Sequence, residues 1–105
     1  MEKWLMLVET NCKEEIRDSE FNKWYDTIHI PDVLSSPGFK SATRYLIKDP
    51  VRDKGKYLAI YEIETEDIKK TMEASLKNIE SKIAAGRWTD LLEIVSRRIC
   101  KVENL

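Results

Sequence analysis

The chain has 105 residues and a formal net charge of −1, with 42% hydrophobic and 35% charged residues. A chain of this length is expected to form one domain, which we take as residues 1–105. The nearly neutral charge argues against nucleic acid or an anionic membrane surface as a partner. No apolar run approaches the roughly 20 residues of a membrane span, and the apolar block at the amino terminus is too short for a signal peptide. The sequence therefore predicts a cytoplasmic protein.

The first half of the chain predicts a strand followed by a helix. The apolar run at residues 4–8 has the length of a strand. Asp18 or Ser19 is placed to cap the helix, which is expected to break near Pro31 because proline disfavours helix in the residue before it. The apolar positions of this helix fall at i, i+3, i+4 and i+7 and predict one buried face. They are Phe21, Trp24, Tyr25 and Ile28.

Two strands joined by a polar loop are predicted next. Residues 39–48 alternate in a way that places Tyr45 and Arg44 on opposite faces of a regular strand, with Phe39 on the side of Tyr45. Residues 49–55 are polar and turn-rich, and residues 57–63 predict the third strand, so the two strands form an antiparallel hairpin.

A second helix and a last strand complete the predicted elements. The helix covers residues 66–85 and ends at Gly86. Residues 91–102 predict a strand in which the mixed phase at Ile94-Val95 and at Ile99-Cys100 indicates either a bulge or burial on both faces. The helix carries one apolar stripe, formed by Ile68, Met72, Leu76, Ile79 and Ile83.

The order β-α-β-β-α-β predicts an α+β, ferredoxin-like domain with a four-stranded antiparallel sheet. The middle strands are apolar on both faces, since Tyr61 and Ile63 alternate with Leu58 and Ile60. Two helices cover only one sheet face. The other face therefore predicts a homodimer, in which a second copy of the chain supplies a partner sheet.

Cysteine and histidine usage predicts no metal centre. Cys12 and Cys100 are far apart and form neither a CxxC pair nor a zinc-binding spacing, so we expect reduced thiols to which the sequence assigns no role. One histidine with scattered carboxylates gives no recognisable ligand spacing. We expect neither a metal nor another cofactor.

His29 is the only histidine and the first candidate for chemistry, because imidazole exchanges protons near neutral pH. It continues the helical row of Phe21 and Tyr25, which places it at the flank of the apolar face. Asp26 and Asp32 lie three residues to either side, and each could orient the ring; the spacing does not choose between them. The alternative is a structural histidine that hydrogen-bonds to Asp32 or to a main-chain carbonyl and closes the helix end.

Residues 21–45 resemble the dimeric α/β-barrel superfamily, and within it the EthD-like branch with small stand-alone members such as methylmuconolactone methylisomerase. The resemblance implies a homodimer whose two sheets close into a barrel, with a pocket between the sheet and the helices of each subunit. It also implies His29 and Tyr45 as proton-transfer groups. Haem-degrading relatives take a histidine from the second helix, which has none here, so no haem is expected. The matching residues are Phe21, Trp24, Tyr25, His29, Pro31, Pro37, Gly38, Phe39, Ala42, Arg44 and Tyr45.

These observations predict a cofactor-independent proton-transfer enzyme of the isomerase, cyclase or lyase type, acting on a small cyclic or aromatic carbonyl compound. His29 is the expected base, Tyr45 the donor to a developing oxyanion, and Asp32 the group that orients the imidazole. A cavity of about 300 Å³ or more at His29 favours ligand chemistry, and a filled interior favours a non-catalytic binding or accessory dimer. A cofactor-free monooxygenase acting on a phenol is the other alternative. The expected substrate-binding residues are Trp24, Tyr25, Tyr61 and Trp88.

Overall fold

The computed structural model describes residues 1–51 and 54–105, so Arg52 and Asp53 of the predicted 49–55 loop lie outside the described residues. Four strands form one antiparallel sheet in the order β2-β3-β1-β4, with the helices on one face. This confirms the predicted ferredoxin-like fold. Within the described residues, no helix is both long and apolar enough to cross a bilayer. The elements are β1 (Glu2–Cys12), a 3₁₀ turn (Glu15–Arg17), α1 (Asp18–Trp24), a π-helical turn (Tyr25–His29), α2 (Ile30–Leu34), β2 (Phe39–Leu46), β3 (Tyr57–Thr65), α3 (Ile68–Ala84) and β4 (Leu92–Lys101).

The core lies between the sheet and the helices. From the sheet, Met6, Val8, Tyr61 and Ile63 are buried, and Phe21 from α1 packs against them. The opposite sheet face is only half-buried and has no helix over it. The apolar side chains on this face include Leu5, Leu7, Leu58 and Ile60.

The first helix does not break at Pro31, contrary to the prediction. The chain continues from α1 through the π-helical turn into α2, and the Ile30 N–H donates to the carbonyl of Tyr25, five residues back. Proline has no N–H to donate and its ring crowds the carbonyl four residues earlier, so the wider turn accommodates Pro31 without ending the helix. Nor does Asp18 cap α1. Its carboxylate accepts hydrogen bonds from Lys56 Nζ at 2.7 Å and from the Tyr57 hydroxyl at 2.9 Å.

A bulge in β2 reverses the faces predicted for that strand. Phe39 pairs with Ile63 while Ser41 pairs with Glu62, so Lys40 is an extra residue in the ladder. Every later residue of β2 therefore changes face relative to a regular strand. Arg44 pairs with Ala59 and faces the helices, whereas Tyr45 pairs with Leu58 and faces away.

Of the two alternatives predicted for β4, a bulge or burial on both faces, the structure has a bulge, and it lies at the first of the two predicted places. Thr10 pairs with Ile94 and Glu9 pairs with Ser96, which leaves Val95 as the extra residue. As in β2, the bulge lies in an edge strand of the sheet, where bulges are most frequent.

The buried face of α3 differs from the predicted apolar stripe. Thr71 and Ser75 are buried, whereas Leu76 and Ile83 are 57% and 45% exposed. Polar anchors explain the rotation of the helix: the Asn78 amide donates to the carbonyl of Asp32 at 2.9 Å and to the neighbouring hydroxyls of Ser35 and Ser36. The predicted helix ends are close to those observed, because Asp67 caps α3 by accepting from the Lys70 N–H and Gly86 follows it with φ +78°.

Two glycines with positive φ give a matched test of packing. Replacing either with alanine places a side chain in the left-handed region, which costs roughly 1–2 kcal/mol. A Cβ at Gly38 would also lie 3.1 Å from the Glu64 carbonyl oxygen and 3.3 Å from Thr71 Cγ2, whereas one at Gly86 meets nothing within 4 Å. We expect Gly38→Ala to lower the free energy of unfolding more than Gly86→Ala does, as measured by urea denaturation. Equal losses would contradict this account of the contact between β3, α3 and the Gly38 turn.

Candidate functional site

A cavity of about 80 Å³ lies between the sheet and the helices and reaches His29. At about 30 Å³ per water molecule it has room for two or three waters. Ligand pockets usually start near 300 Å³, so the space at His29 is a narrow slot in a largely filled interior. Its walls are Met6, Val8, Tyr25, His29, Val33, Tyr61, Ser75, Ile79, Trp88, Leu92, Ile94 and Arg97.

His29 sits in a box of aromatic rings. Its imidazole stacks on Trp24 with 4.9 Å between ring centroids and a 14° angle between planes. Tyr25 and Trp88 approach the same ring edge-on at 4.9 and 5.5 Å. The π-helical turn brings residues five apart into register, which accounts for the stack of Trp24 on His29.

The imidazole makes no hydrogen bond to any described residue. In residues 1–51 and 54–105, the one side-chain polar atom that is both sealed from solvent and unpartnered is Arg44 Nε, so the His29 nitrogens remain accessible. A histidine that only closes a helix end would use a ring nitrogen to hold a carbonyl or carboxylate. The structural alternative predicted such a bond to Asp32 or to the main chain, and that bond is not present.

Burial sets the charge of His29. Loss of water around the ring lowers its pKa to about 4; the Asp32 carboxylate opposes this lowering, and the Arg44 cation adds a smaller lowering of its own. The ring is therefore neutral at pH 7 and available as a hydrogen-bond acceptor.

Neither carboxylate predicted to orient His29 does so. Asp26 accepts from Arg44 Nη1 at 3.0 Å. Asp32 is buried and accepts from Arg87 Nε and Nη2 at 2.9 and 3.1 Å. The role predicted for Asp32 is therefore corrected: its carboxylate anchors the chain segment that carries Trp88. The Trp24 indole donates to the Arg87 carbonyl at 3.1 Å and holds the same segment.

Two phenols line the cavity beside His29. Burial raises the pKa of Tyr61, and the neighbouring Tyr25 raises it further. Burial also raises the pKa of Tyr25, although the Tyr61 hydroxyl and the Arg44 cation oppose the shift. Both side chains are neutral at pH 7 and can donate a hydrogen bond to an anionic oxygen in the cavity.

Tyr45 does not reach this site. It is 49% exposed on the sheet face that points away from the helices, because of the Lys40 bulge. The predicted pairing of His29 with Tyr45 is therefore not formed. The bulge places Arg44 on the helix side instead, with Cζ 4.1 Å from the centre of the Tyr25 ring.

The other aromatic candidates divide into two groups. Tyr25, Tyr61 and Trp88 line the cavity, and Trp24 contacts His29 from outside it. Sequence reasoning missed two polar lining residues, Ser75 and Arg97. Ser75 follows Thr71 by one helical turn, and that row of small polar residues was a detectable signal.

The described residues contain no cluster of three or more histidine, cysteine or acidic side chains of the kind that holds a metal ion. Cys12 and Cys100 are free thiols, half-buried and exposed respectively. The Cys12 Sγ donates to the carbonyl of Glu14 at 3.1 Å, and burial raises its pKa.

Solved structures share this fold. SnoaB, a cofactor-independent oxygenase from Streptomyces nogalater, has a TM-score of 0.70 at 11% identity, over 100% of this chain and 97% of that one. A dimeric ferredoxin-like protein from an uncultured marine organism has a TM-score of 0.68 at 10% identity, over 97% and 96%. An ethyl tert-butyl ether D (EthD) family protein from Bacillus halodurans has a TM-score of 0.57 at 15% identity, over 100% of both chains.

These likenesses confirm the predicted ferredoxin-like fold, which this chain shares with an EthD family protein and a dimeric ferredoxin-like protein. Sequence identities this low establish only that the fold is shared. A search of the curated proteins finds no match. A family model described as Domain of unknown function (DUF4286) matches residues 4–90.

The depressed pKa of His29 predicts a pH dependence of stability. Between about pH 6.5 and pH 4 the unfolded chain binds a proton at His29 and the folded chain does not. Folding therefore loses stability as the pH falls through this window, by up to about 3 kcal/mol from this group at 1.36 kcal/mol per pKa unit. We expect urea denaturation at several pH values to show this loss, and His29→Gln to have a flatter curve. Parallel curves for the two proteins would contradict the buried, neutral imidazole.

Proposed function

The chain belongs to the DUF4286 family, and from that premise we propose that it is a cofactor-independent enzyme that transfers a proton within a small carbonyl compound, with His29 as the base. The observation that carries the proposal is a neutral, accessible imidazole with no hydrogen-bond partner among the described residues, lining a cavity with two neutral phenols. Such an arrangement is typical of a group kept free for a ligand.

The proton transfer uses His29 and Tyr61. A C–H bond next to the ligand carbonyl breaks, and its proton goes to an imidazole nitrogen. The electron pair forms a carbon–carbon double bond, and the carbonyl π pair moves to oxygen. The Tyr61 hydroxyl donates a hydrogen bond to this oxyanion, the role that the resemblance had implied for Tyr45. The imidazolium then returns the proton to the same carbon or to another one.

The charge on the ligand compensates for the low basicity of His29. A pKa of about 4 makes the imidazole a weak base in the empty cavity. Negative charge that develops beside the ring favours the imidazolium, so its pKa rises as the proton moves. The aromatic box leaves little water around the ring, and more water would weaken this attraction.

Cavity volume limits the reacting part of the ligand. An apolar cavity of about 150 Å³ holds benzene, and the space at His29 is about 80 Å³. A carbonyl group with a short substituent fits this volume. The cyclic or aromatic class expected from the sequence requires a wider slot than this one.

Two observations keep other functions as candidates. The fold likeness to SnoaB, a cofactor-independent oxygenase, and the aromatic lining suit a monooxygenase acting on a phenol. The small volume suits the third candidate, a ligand-binding or accessory dimer without catalysis. Oxygen consumption with a panel of phenols separates the first of these from proton transfer, which consumes none.

Proton transfer can be tested without knowing the natural substrate. Acetone, butanone, cyclopentanone and pyruvate in deuterated water lose their α-proton NMR signals when a base exchanges them. We expect the protein to accelerate this loss for at least one compound, and His29→Gln to reduce the acceleration by about 10²–10⁴-fold while remaining folded.

Two tyrosine variants supply matched controls for this test. Tyr61→Phe removes the donor from the cavity and is expected to slow exchange, whereas Tyr45→Phe lies on the opposite sheet face and is expected to leave it unchanged. Exchange that is absent throughout, or unaffected by His29→Gln, would leave the accessory dimer as the better proposal.

We also propose that the chain acts as a cytoplasmic homodimer of one domain, residues 1–105, joined through the helix-free sheet face. The apolar pair Leu7 and Ile60 lies near the middle of that face. The dimeric ferredoxin-like structure of the same fold supports this arrangement.

Light scattering tests the dimer. We expect twice the chain mass of 12.3 kDa for the native protein and a single chain for Leu7→Glu, because a charge at the centre of the interface loses its water on pairing. Leu76→Glu, at an exposed position on α3, is the matched control and is expected to keep the dimer mass. A native mass of one chain at micromolar concentration would defeat the proposal.

A further inference from the structure

An arginine lines the cavity on its β4 side. Arg97 pairs with Val8 across the sheet, and Val8 is buried under the helices, so Arg97 faces the helices as well. Ile94, three residues earlier, is also a lining residue. In a regular strand, residues three apart point to opposite faces. Because Val95 is an extra residue between them, Ile94 and Arg97 lie on the same face of the sheet, and Arg97 points towards the cavity.

Arg97 has no partner among the described residues, unlike three other arginines of the chain. Arg17 pairs with Glu14 and Glu20, Arg44 with Asp26, and Arg87 with Asp32. Arg97 is exposed, and no carboxylate of the described chain lies within ion-pair distance of it. Its guanidinium is therefore available to a ligand.

The charge distribution around the cavity has one sign. None of the described lining residues is acidic, and His29 is neutral at pH 7, so Arg97 is the one formally charged residue among them. Arg44, the other cation close to this site, is already paired with Asp26. A positive potential at the edge of an apolar slot selects for an anionic ligand.

The open side of the cavity is the edge of the sheet. β4 is an edge strand, and Ile94 is 52% exposed. A carboxylate at Arg97 can therefore keep part of its water and form a two-pronged pair with the guanidinium. The cavity itself, at about 80 Å³, accommodates only a few heavy atoms besides the carboxylate. These two limits together describe a short molecule with an acid at one end.

We propose that the His29 cavity takes a short oxo-carboxylate, with the carboxylate held by Arg97 at the cavity mouth and the carbonyl end placed at His29 and Tyr61. This inference rests on the proposed function of the same site and names its substrate class. It also gives Arg97 a second effect: a bound carboxylate near the imidazole favours the protonated ring and makes His29 a stronger base.

Binding can be measured separately from catalysis, because His29 is the only histidine and its imidazole gives a single set of NMR signals. Pyruvate and pyruvamide serve as a charged and a neutral probe of nearly equal shape. We expect pyruvate to shift the His29 signals at a concentration about tenfold lower than pyruvamide does, as for a charge-assisted hydrogen bond. The pyruvate complex is also expected to show a raised His29 pKa.

Variants of the two neighbouring arginines test the assignment. Arg97→Gln is expected to abolish the preference for pyruvate while leaving pyruvamide binding unchanged, and Arg97→Lys to retain part of it. Arg98→Gln is the matched control, because Arg98 pairs with Leu7 and faces the other side of the sheet. Its preference for pyruvate is expected to remain.

The outcomes separate this inference from the proposed function. Equal binding of the two probes, a preference that survives in Arg97→Gln, or no shift of the His29 signals by either probe would overturn the carboxylate site. If pyruvate binds in preference to pyruvamide and this preference depends on Arg97, but no α-protons exchange, the carboxylate site stands and the catalytic role of His29 does not.

Discussion

The geometry of the site depends on the nitrogen of Pro31, which has no hydrogen to donate. A regular α-helix would set this ring against the carbonyl of Thr27. The helical turn instead widens by one residue, and the Ile30 N–H donates to the Tyr25 carbonyl. In this wider turn His29 lies over Trp24 and against the edge of Tyr25. Single π-helical turns recur at functional sites because they displace side chains from the regular helical positions, and here the displaced side chain is the one histidine.

A long-range ion pair completes the site on its other side. Asp32 lies one residue beyond Pro31 and binds the guanidinium of Arg87, while the Arg87 carbonyl accepts from Trp24. The segment that follows α3 is thereby fastened to the first helix at two points. Trp88 is the next residue, and its ring closes the box around His29. The buried carboxylate thus acts on the imidazole through a wall of the cavity, since the two side chains share no hydrogen bond.

Local patterns in the sequence were sufficient for the order of elements and for the end of α3 before Gly86, and they indicated the irregularity at Ile94 and Val95 in β4. They failed where a side chain's position depends on pairing with a distant strand. Nothing in residues 39–46 identifies Lys40 as the extra residue, because its register is set by Ile63 and Glu62 of β3. As a result Tyr45 was expected in the cavity and Arg44 outside it. The expectation that Asp26 or Asp32 orients His29 failed for the same reason, since both have arginine partners far away in the chain.

The aromatic candidates were easier to locate than their roles. Tyr25, Tyr61 and Trp88 line the cavity because large rings fill most of the space between the two layers of a small domain. Ser75 and Arg97 were not found, since the first is a polar residue beside the predicted apolar stripe of α3 and the second depends on a register shift in β4. The fold can therefore be predicted from the periodicity of apolar residues. The positions of the polar groups in the site depend on bulges and on a π-helical turn, which interrupt that periodicity.

The two bulges have a consequence for how this fold diversifies. Each lies in an edge strand, and each turns an arginine, Arg44 or Arg97, to the side of the helices. Loss of Thr43 with the Lys40 bulge kept would pair Tyr45 with Ala59 and so exchange Arg44 for Tyr45 beneath the helices. Insertion or deletion of one residue at an outer strand is thus a larger chemical step than a point substitution, and it is tolerated because an edge has a neighbour on one side only. Descendants of one such domain could come to hold a cation or a phenol at the same place while keeping every helix and strand.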